Sequence, residues 1–241
     1  MRTLTQQRTF EVNLHRAGLG PVAGVDEAGR GACAGPITIA ACILPPQPLA
    51  DLAPLTDSKK LSATQRATLF PLIQQHTVAW SILHICAEDI DRYGIQHANV
   101  SGMRRAVALL DTQPGYVLTD ALRIPGFACG SLPIIGGDAA ARCISAASVL
   151  AKHARDTELL ALDEQYPQYE FAKHKGYGTK VHMTAVRRYG ASPVHRYSYA
   201  NVAAAHSEWC AAQQPNRQQK QEVKPADTVV KDAAGEEQFL F

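Results

Sequence analysis

The sequence predicts an α/β fold in which five strands build a sheet and helices connect and cover it. Three observations carry this expectation. Five short apolar runs, at residues 22–26, 37–44, 78–85, 116–120 and 132–135, have the length and composition of strands. Between the third and the fourth, Val100, Met103, Val107 and Leu110 recur at helical spacing, the pattern of an amphipathic helix. Three of the five runs lead into a carboxylate, Asp26, Asp120 and Asp138. In an open α/β sheet, ligands bind at the carboxyl ends of the strands.

Residues 1–20 are mostly polar, close with Gly18-Leu19-Gly20-Pro21, and read as a short lead-in. The first run passes directly into Asp26-Glu27-Ala28-Gly29-Arg30-Gly31. The second is apolar everywhere except Thr38, which fits a strand buried on both faces. Pro45, Pro46 and Pro48 end it. The connection between these two runs is short, so they are expected to pair as an antiparallel hairpin. Ser62 is placed as the N-cap of a helix reaching about residue 75. Met103 reads as core. A long helix opens at Cys143 and extends to about Leu162. Ile144, Ala147, Ala151 and Ala154 share one of its faces, and the small residues among them allow close packing on the sheet.

Composition narrows the class. The 241 residues are 46% hydrophobic and 19% charged, which suits one sizeable domain plus an extension. The net charge of +2 does not by itself announce a nucleic-acid partner. None of the six cysteines forms a C-x-x-C pair, so zinc is not expected, and reduced thiols suit a cytoplasmic protein. No apolar stretch approaches membrane-spanning length, and residues 1–14 lack the apolar core of a signal peptide. Residues 212–241 carry four Lys/Arg against five acids, with little apolar content, and are expected to be disordered. They end in Gln238-Phe239-Leu240-Phe241, which either docks into a hydrophobic groove on a partner or frays.

The candidate site begins at Asp26 and Glu27. Paired carboxylates at a strand end suit a hard divalent cation, which takes oxygen ligands. Gly29 and Gly31 let backbone approach a ligand closely, and Arg30 between them can fork onto a phosphate. Asp-Glu followed by glycine is also an ordinary surface turn. Asp120 and Asp138 at further strand ends shift the balance to a shared metal site. Lys59 and Lys60 read as a solvated pair or as phosphate contacts. Ser145 and Ser148, near the start of the long helix, read as phosphate ligands or as small helix-surface residues. Lys152 and Arg155 share a helix face, with Asp156 or Glu158 as nearby partners for Arg155.

Residues 171–200 contain Lys173, Lys175, Lys180, Arg187, Arg188 and Arg196 and no acid. Tyr177, Tyr189, Tyr197 and Tyr199 are interleaved, with His174, His182 and His195. Basic residues among aromatics suit a phosphate backbone with sugar or base contacts. Lys175-Gly176-Tyr177-Gly178 would present a tyrosine in a loop.

These motifs, in this order, resemble the type 2 ribonucleases H, the family of bacterial ribonuclease HII, over roughly residues 22–199. The matching segments are Asp26-Glu27-Ala28-Gly29-Arg30-Gly31, Asp57-Ser58-Lys59-Lys60-Leu61, Gly137-Asp138, Ser145 through Lys152, Arg155-Asp156, His174-Lys175-Gly176-Tyr177 and His195-Arg196. The resemblance implies a ribonuclease H-like fold, a mixed five-stranded sheet flanked by helices with a helical C-terminal part, over residues 21–211. It implies that Asp26, Glu27, Asp120 and Asp138 are catalytic ligands for two magnesium or manganese ions. It assigns Gly29, Arg30 and Gly31 to the ribonucleotide 2′-hydroxyl and its neighbouring phosphate, and Tyr177 to a sugar at the RNA–DNA junction. Lys59, Ser145, Ser148, Lys152 and Lys175 are the further expected substrate contacts.

The implied activity is that of a monomeric endoribonuclease. It cleaves the RNA strand of RNA–DNA hybrids and single ribonucleotides embedded in duplex DNA, leaving 3′-hydroxyl and 5′-phosphate ends. A DNA-directed nuclease of the same fold and a non-catalytic nucleic-acid-binding protein are the alternatives. Three departures stand out. Asp120-Ala121-Leu122 replaces a frequent Asp-Gly-Asn, Ala32-Cys33 stands where proline is common, and Ser198-Tyr199 replaces Ser-Phe. The last two are expected to stay clear of the chemistry. Gln238-Phe239-Leu240-Phe241 is similar to bacterial sliding-clamp-binding motifs, one residue short, and implies a clamp contact.

Overall fold

A computed structural model describes residues 8–214. The terminal Gln238, Phe239, Leu240 and Phe241, with nearly all of the 212–241 segment, lie outside the described residues. Strands β1 (Val22–Ala28) and β2 (Ile37–Ile43) form the expected antiparallel hairpin, with Asp26 opposite Ala40. β3 (Ala79–Ile85) pairs antiparallel with the outer side of β2. β4 (Tyr116–Asp120) joins the other side of β1 in parallel, and β5 (Gly130–Ile134) adds to β4 in parallel. The sheet is therefore mixed, in the order β3-β2-β1-β4-β5.

The first 20 residues contain more than a lead-in. A helix, α1 (Thr9–Arg16), is tied to the sheet. Arg8 donates to the carbonyls of Pro45 and Pro46, and the Glu11 carboxylate accepts the Cys143 N–H at 3.0 Å. The helix at 63–76, α2 (Ala63–His76), starts at Ser62 as expected. The Ser62 hydroxyl accepts from the Gln65 N–H, and the Gln65 side chain accepts from the Ser62 N–H, a reciprocal cap.

α3 (Ala87–Tyr93) and α4 (Ile95–Ala108) follow β3. The short α5 (Gly137–Ala140) precedes the long α6 (Arg142–Gln165). Every residue of β2 is buried because helices cover both faces of the sheet. Ile39, Ala41 and Ile43 pack with Ala23, Val25 and Met103 of the α4 side. Ala40 and Cys42 pack with Leu69, Ile73 and Ala147 of α2 and α6. On β1, Gly24 admits α6 directly: a Cβ there would lie 2.1 Å from the Cys143 carbonyl carbon. Such backbone-to-backbone approach requires glycine.

The C-terminal part is helical. A 3-10 turn (Pro167–Tyr169), α7 (Phe171–His174), α8 (Lys180–Tyr189) and α9 (Ala200–Gln213) follow α6. They share a core of Leu159, Tyr169, Phe171, Val186 and Val202 that also includes Cys33 and Ala34 from the β1–β2 loop. That shared core brings the basic stretch against the loop following Glu27.

Candidate active site

Strand alternation sets the first two carboxylates. Neighbouring side chains of a strand point to opposite faces. Gly24 meets α6, so Asp26 follows on that face, while Glu27 falls on the α4 face. Asp26 is 5% exposed. Its Oδ1 accepts the Glu27 N–H at 2.7 Å, and the Ser148 hydroxyl of α6 also favours its charged form. Ser148 is held in turn by Ser58, 2.7 Å between hydroxyl oxygens. On the opposite face the buried Asn99 amide of α4 favours charged Glu27, although it makes no full hydrogen bond.

Parallel pairing brings in the third carboxylate. Val25 lies opposite Thr119, so Asp120 emerges beside Asp26 at the same end of the sheet. The Gly137 N–H donates to Asp120 Oδ1 at 2.7 Å, linking β4 to α5, the short helix that carries Asp138. The Ser145 hydroxyl donates to the Asp138 carbonyl at 2.6 Å and fixes α5 from the first turns of α6. The Lys59 ammonium stands 3.3 Å from the Asp138 carboxylate.

The electrostatics follow from this crowding. Burial raises Asp26 well above the usual carboxylate range, and the charges of Glu27 and Asp120 raise it further. Burial raises Glu27; Arg30 opposes this and Asp120 adds to it. Burial also raises Asp138, with Asp120 adding and Lys59 opposing. As placed, no three of the described His, Cys, Asp and Glu side chains are grouped to hold an ion. The donor set nevertheless fits a hard cation. All four groups are carboxylates, three are pushed toward protonation by burial and mutual repulsion, and among the described residues the one positive side chain hydrogen-bonded to the set, Lys59, sits on Asp138.

The glycine-arginine-glycine loop is fastened from below. Arg155 of α6 is fully buried, and a Cβ at Gly29 would meet its Nε at 1.8 Å. Arg155 donates to the carbonyls of Pro36 (3.0 Å) and Ala34 (3.3 Å). The Arg30 carbonyl accepts from Arg196 at 3.0 Å and from the Tyr199 hydroxyl at 2.7 Å. The Arg30 side chain is exposed and donates to Gln96 of α4 at 2.8 Å.

The family model for Ribonuclease HII matches residues 23–202. The chain belongs to the ribonuclease HII family. It is 71% identical over 209 residues to the ribonuclease HII of Corynebacterium efficiens, covering 87% of this chain and 90% of that protein. In fold it is similar to ribonuclease H2 from Pyrococcus horikoshii, with a TM-score of 0.68 and 23% identity over 78% of this chain and 98% of that one. It is also similar to Bst ribonuclease HIII, solved in complex with Mn2+, with a TM-score of 0.61 and 17% identity over 78% and 70% of the two chains. Enzymes of this family are hydrolases that depend on a divalent metal ion.

The expected contacts of this ribonuclease do not all lie where the sequence suggests. Ser145 is completely buried and supports Asp138 through its carbonyl, so its hydroxyl is not at the surface. Ser148 is also buried, between Ser58 and Asp26. Lys152 pairs with Asp156 at 2.7 Å, and Arg66 joins the same carboxylate at 3.5 Å. Arg155 pairs with neither Asp156 nor Glu158; burial pulls its guanidinium down to about 10, and it bonds backbone carbonyls instead. Lys175 sits at φ 51° in the turn before Tyr177, a residue 43% exposed, with the Arg155 guanidinium 5.7 Å from the centre of its ring.

The basic stretch is less open than its composition implies. Arg196 is fully buried, Lys173 pairs with Glu170, and Arg187 pairs with Glu208, both acids lying just outside the acid-free window. The two departures expected to stay clear of the site touch its loop. Tyr199 holds the Arg30 carbonyl, which a phenylalanine could not do, and the Cys33 thiol donates to the Gly176 carbonyl at 3.4 Å. Gln96 and Asn99 were not legible as site residues. Their three-residue spacing on α4 was the available signal, since it places both on one helix face.

Proposed function

We propose that this ribonuclease cuts the RNA strand of RNA–DNA hybrids, and single ribonucleotides embedded in duplex DNA, at the carboxyl end of β1 and β4. One observation carries the reading. Asp26 and Glu27 are separated by a single residue from a loop whose backbone is clamped by Arg155, Arg196 and Tyr199. Residues that would hold a cation and residues that would meet a ribose are thus fixed to one strand end. Preorganised polar groups of this kind lower a barrier because they need no rearrangement as charge develops.

Asp26, Glu27, Asp120 and Asp138 would hold magnesium or manganese, two ions during catalysis. The bound cation supplies Lewis acidity at the scissile phosphate and lowers the pKa of water. Gly29 and Gly31 present backbone to the 2′-hydroxyl, the group that separates RNA from DNA. Arg30 forks onto the adjoining phosphate and Tyr177 packs on the neighbouring sugar. Lys59, near Asp138, and Lys175, beside Tyr177, meet the phosphate backbone. Contacts to phosphate and sugar carry no base information, so sequence preference is weak. Cleavage leaves 3′-hydroxyl and 5′-phosphate ends.

We further place the chain in the cytoplasm as a monomer. All six cysteines are free, and no described helix is long and apolar enough to cross a membrane. A sliding-clamp contact through residues 238–241 rests on sequence alone. The deciding experiment is cleavage of a duplex carrying one ribonucleotide, with and without magnesium, mapped to the nucleotide. Asp26→Asn should abolish cutting. Full retention would refute the metal assignment, and equal cutting of an all-DNA duplex would favour the DNA-directed alternative.

A further inference from the structure

Behind Tyr177 lies a buried chain of imidazoles whose protons can be assigned from their partners. The Ser192 N–H points at His195 Nδ1 at 3.0 Å. A backbone N–H only donates, so this nitrogen is the acceptor and His195 carries its proton on Nε2. That Nε2 faces His182 Nε2 at 3.0 Å. Two protons do not fit between them, so His182 Nε2 accepts and its proton is on Nδ1. His182 Nδ1 lies 3.0 Å from the Tyr177 carbonyl, which only accepts. The three assignments agree without a conflict.

The neighbouring ring obeys the same logic. His174 Nδ1 accepts the Gly176 N–H at 3.2 Å, and Nε2 donates to the Tyr169 carbonyl at 2.7 Å. His174 stacks on His182 with ring centres 4.2 Å apart and 17° between planes. The turn between them has positive φ at both Lys175 (51°) and Gly176 (77°). An unusual turn is therefore bracketed by two oriented imidazoles, one holding its N–H at 176 and one its carbonyl at 177. Tyr169 and Phe171 wall the His182–His195 pair, and both rings are fully buried. Burial keeps them neutral, pulling His182 to about 3 and His195 to about 4.

We propose that His182 is a positioning residue for Tyr177, locked by His195 in the Nδ1–H tautomer so that it holds the Tyr177 carbonyl and with it the exposed ring that meets the substrate sugar. The proposal rests on the reading of Tyr177 as a sugar contact. His182 itself touches no substrate, because it is fully buried. Its effect passes through the backbone of one residue.

The test is a double-mutant cycle on a duplex with a single ribonucleotide. Tyr177→Ala should raise KM about tenfold, the scale of one lost ring contact. The Tyr177 carbonyl has two donors, His182 Nδ1–H and the Thr179 N–H at 2.8 Å; His182→Leu removes the side-chain one and should raise KM several-fold with kcat nearly unchanged. His182→Asn keeps an N–H near the Nδ1 position and should recover most of the loss. In the Tyr177→Ala background, His182→Leu should add nothing further; a purely structural role would still add its own penalty. Additive losses, or no rescue by asparagine, would overturn the proposal. If Tyr177→Ala itself has no effect, the sugar-contact reading fails instead. A nitrogen-15 histidine spectrum of the unmodified protein decides the tautomer independently: Nδ1–H at His182 and Nε2–H at His195 are expected, and the reverse, or a charged ring at neutral pH, would refute the lock.

Discussion

Arg155 occupies the space that any side chain at Gly29 would need, its Nε 1.8 Å from the Cβ position. A buried cation thus sits directly beneath the loop proposed to face the ribose. Gly29→Ala must displace either the loop or a guanidinium with no room to move. It should cost about 3 kcal/mol in chemical denaturation and remove most activity. Arg155→Met preserves bulk but leaves the Ala34 and Pro36 carbonyls without their donor. A loss of about 2 kcal/mol is expected, with a raised KM for ribonucleotide duplexes.

Ala121 follows Asp120 with φ +53°, a region that costs an L-residue about 1–2 kcal/mol. The family's frequent glycine at this position suits that backbone. Ala121→Gly relieves the strain but gains flexibility when unfolded, so the net should be a rise of about 0.5 kcal/mol. The carboxylate of Asp120 is still fixed by the Gly137 N–H, so kcat/KM should not change. A thermal melt with a cleavage assay checks both halves.

The carboxylate cluster makes the metal-free protein sensitive to pH. Asp26 binds its proton more tightly folded than unfolded, because burial and Glu27 raise its pKa. Its contribution to stability is present below the unfolded carboxylate pKa, near 4, and is lost as pH rises through the higher folded value. Asp26→Asn removes this dependence. Without metal, its Tm advantage over the unsubstituted protein should widen from pH 4.5 to 7.5. Added magnesium should narrow it at pH 7.5 by stabilising only the protein that retains the carboxylate. Melts at these pH values with and without magnesium provide the measurement.

Lys59 neutralises Asp138 where a cation is proposed to bind. Lys59→Met removes a competing positive charge, so calorimetric magnesium affinity should rise about twofold, a modest change because the lysine is largely exposed. Binding of a ribonucleotide duplex should weaken, and its salt dependence should fall by about one phosphate contact.

Tyr199 donates to the Arg30 carbonyl, which Arg196 also holds. Tyr199→Phe should cost about 1 kcal/mol in denaturation and lower kcat/KM slightly, since one of two donors remains.

The sequence by itself determined the strands, the hairpin and the capped helix at Ser62, and it singled out the four carboxylates proposed to hold the cation. These are local or periodic signals: apolar runs lead toward acids, though only β4 ends on one, with Asp26 inside β1 and Asp138 in α5, and a short loop forces antiparallel pairing. It also pointed to Gly29, Arg30 and Gly31, because their chemistry is written in adjacent residues. Only the tertiary structure decided what stands behind them. Arg155 read as a surface ion pair and is a buried support. Ser145 read as a phosphate ligand or a small helix-surface residue and holds α5 from beneath, while Tyr199 read as clear of the chemistry and clamps the Arg30 carbonyl. Gln96 and Asn99 gave only helical spacing until α4 was laid on the sheet. The physical reason is common to all of these. A side chain's role depends on which backbone groups packing leaves unsatisfied nearby, and those are set by contacts distant in sequence. Asp26 and Glu27 show both sides: their order is local, but the opposite faces they occupy gain meaning only when α6 and α4 cover the sheet.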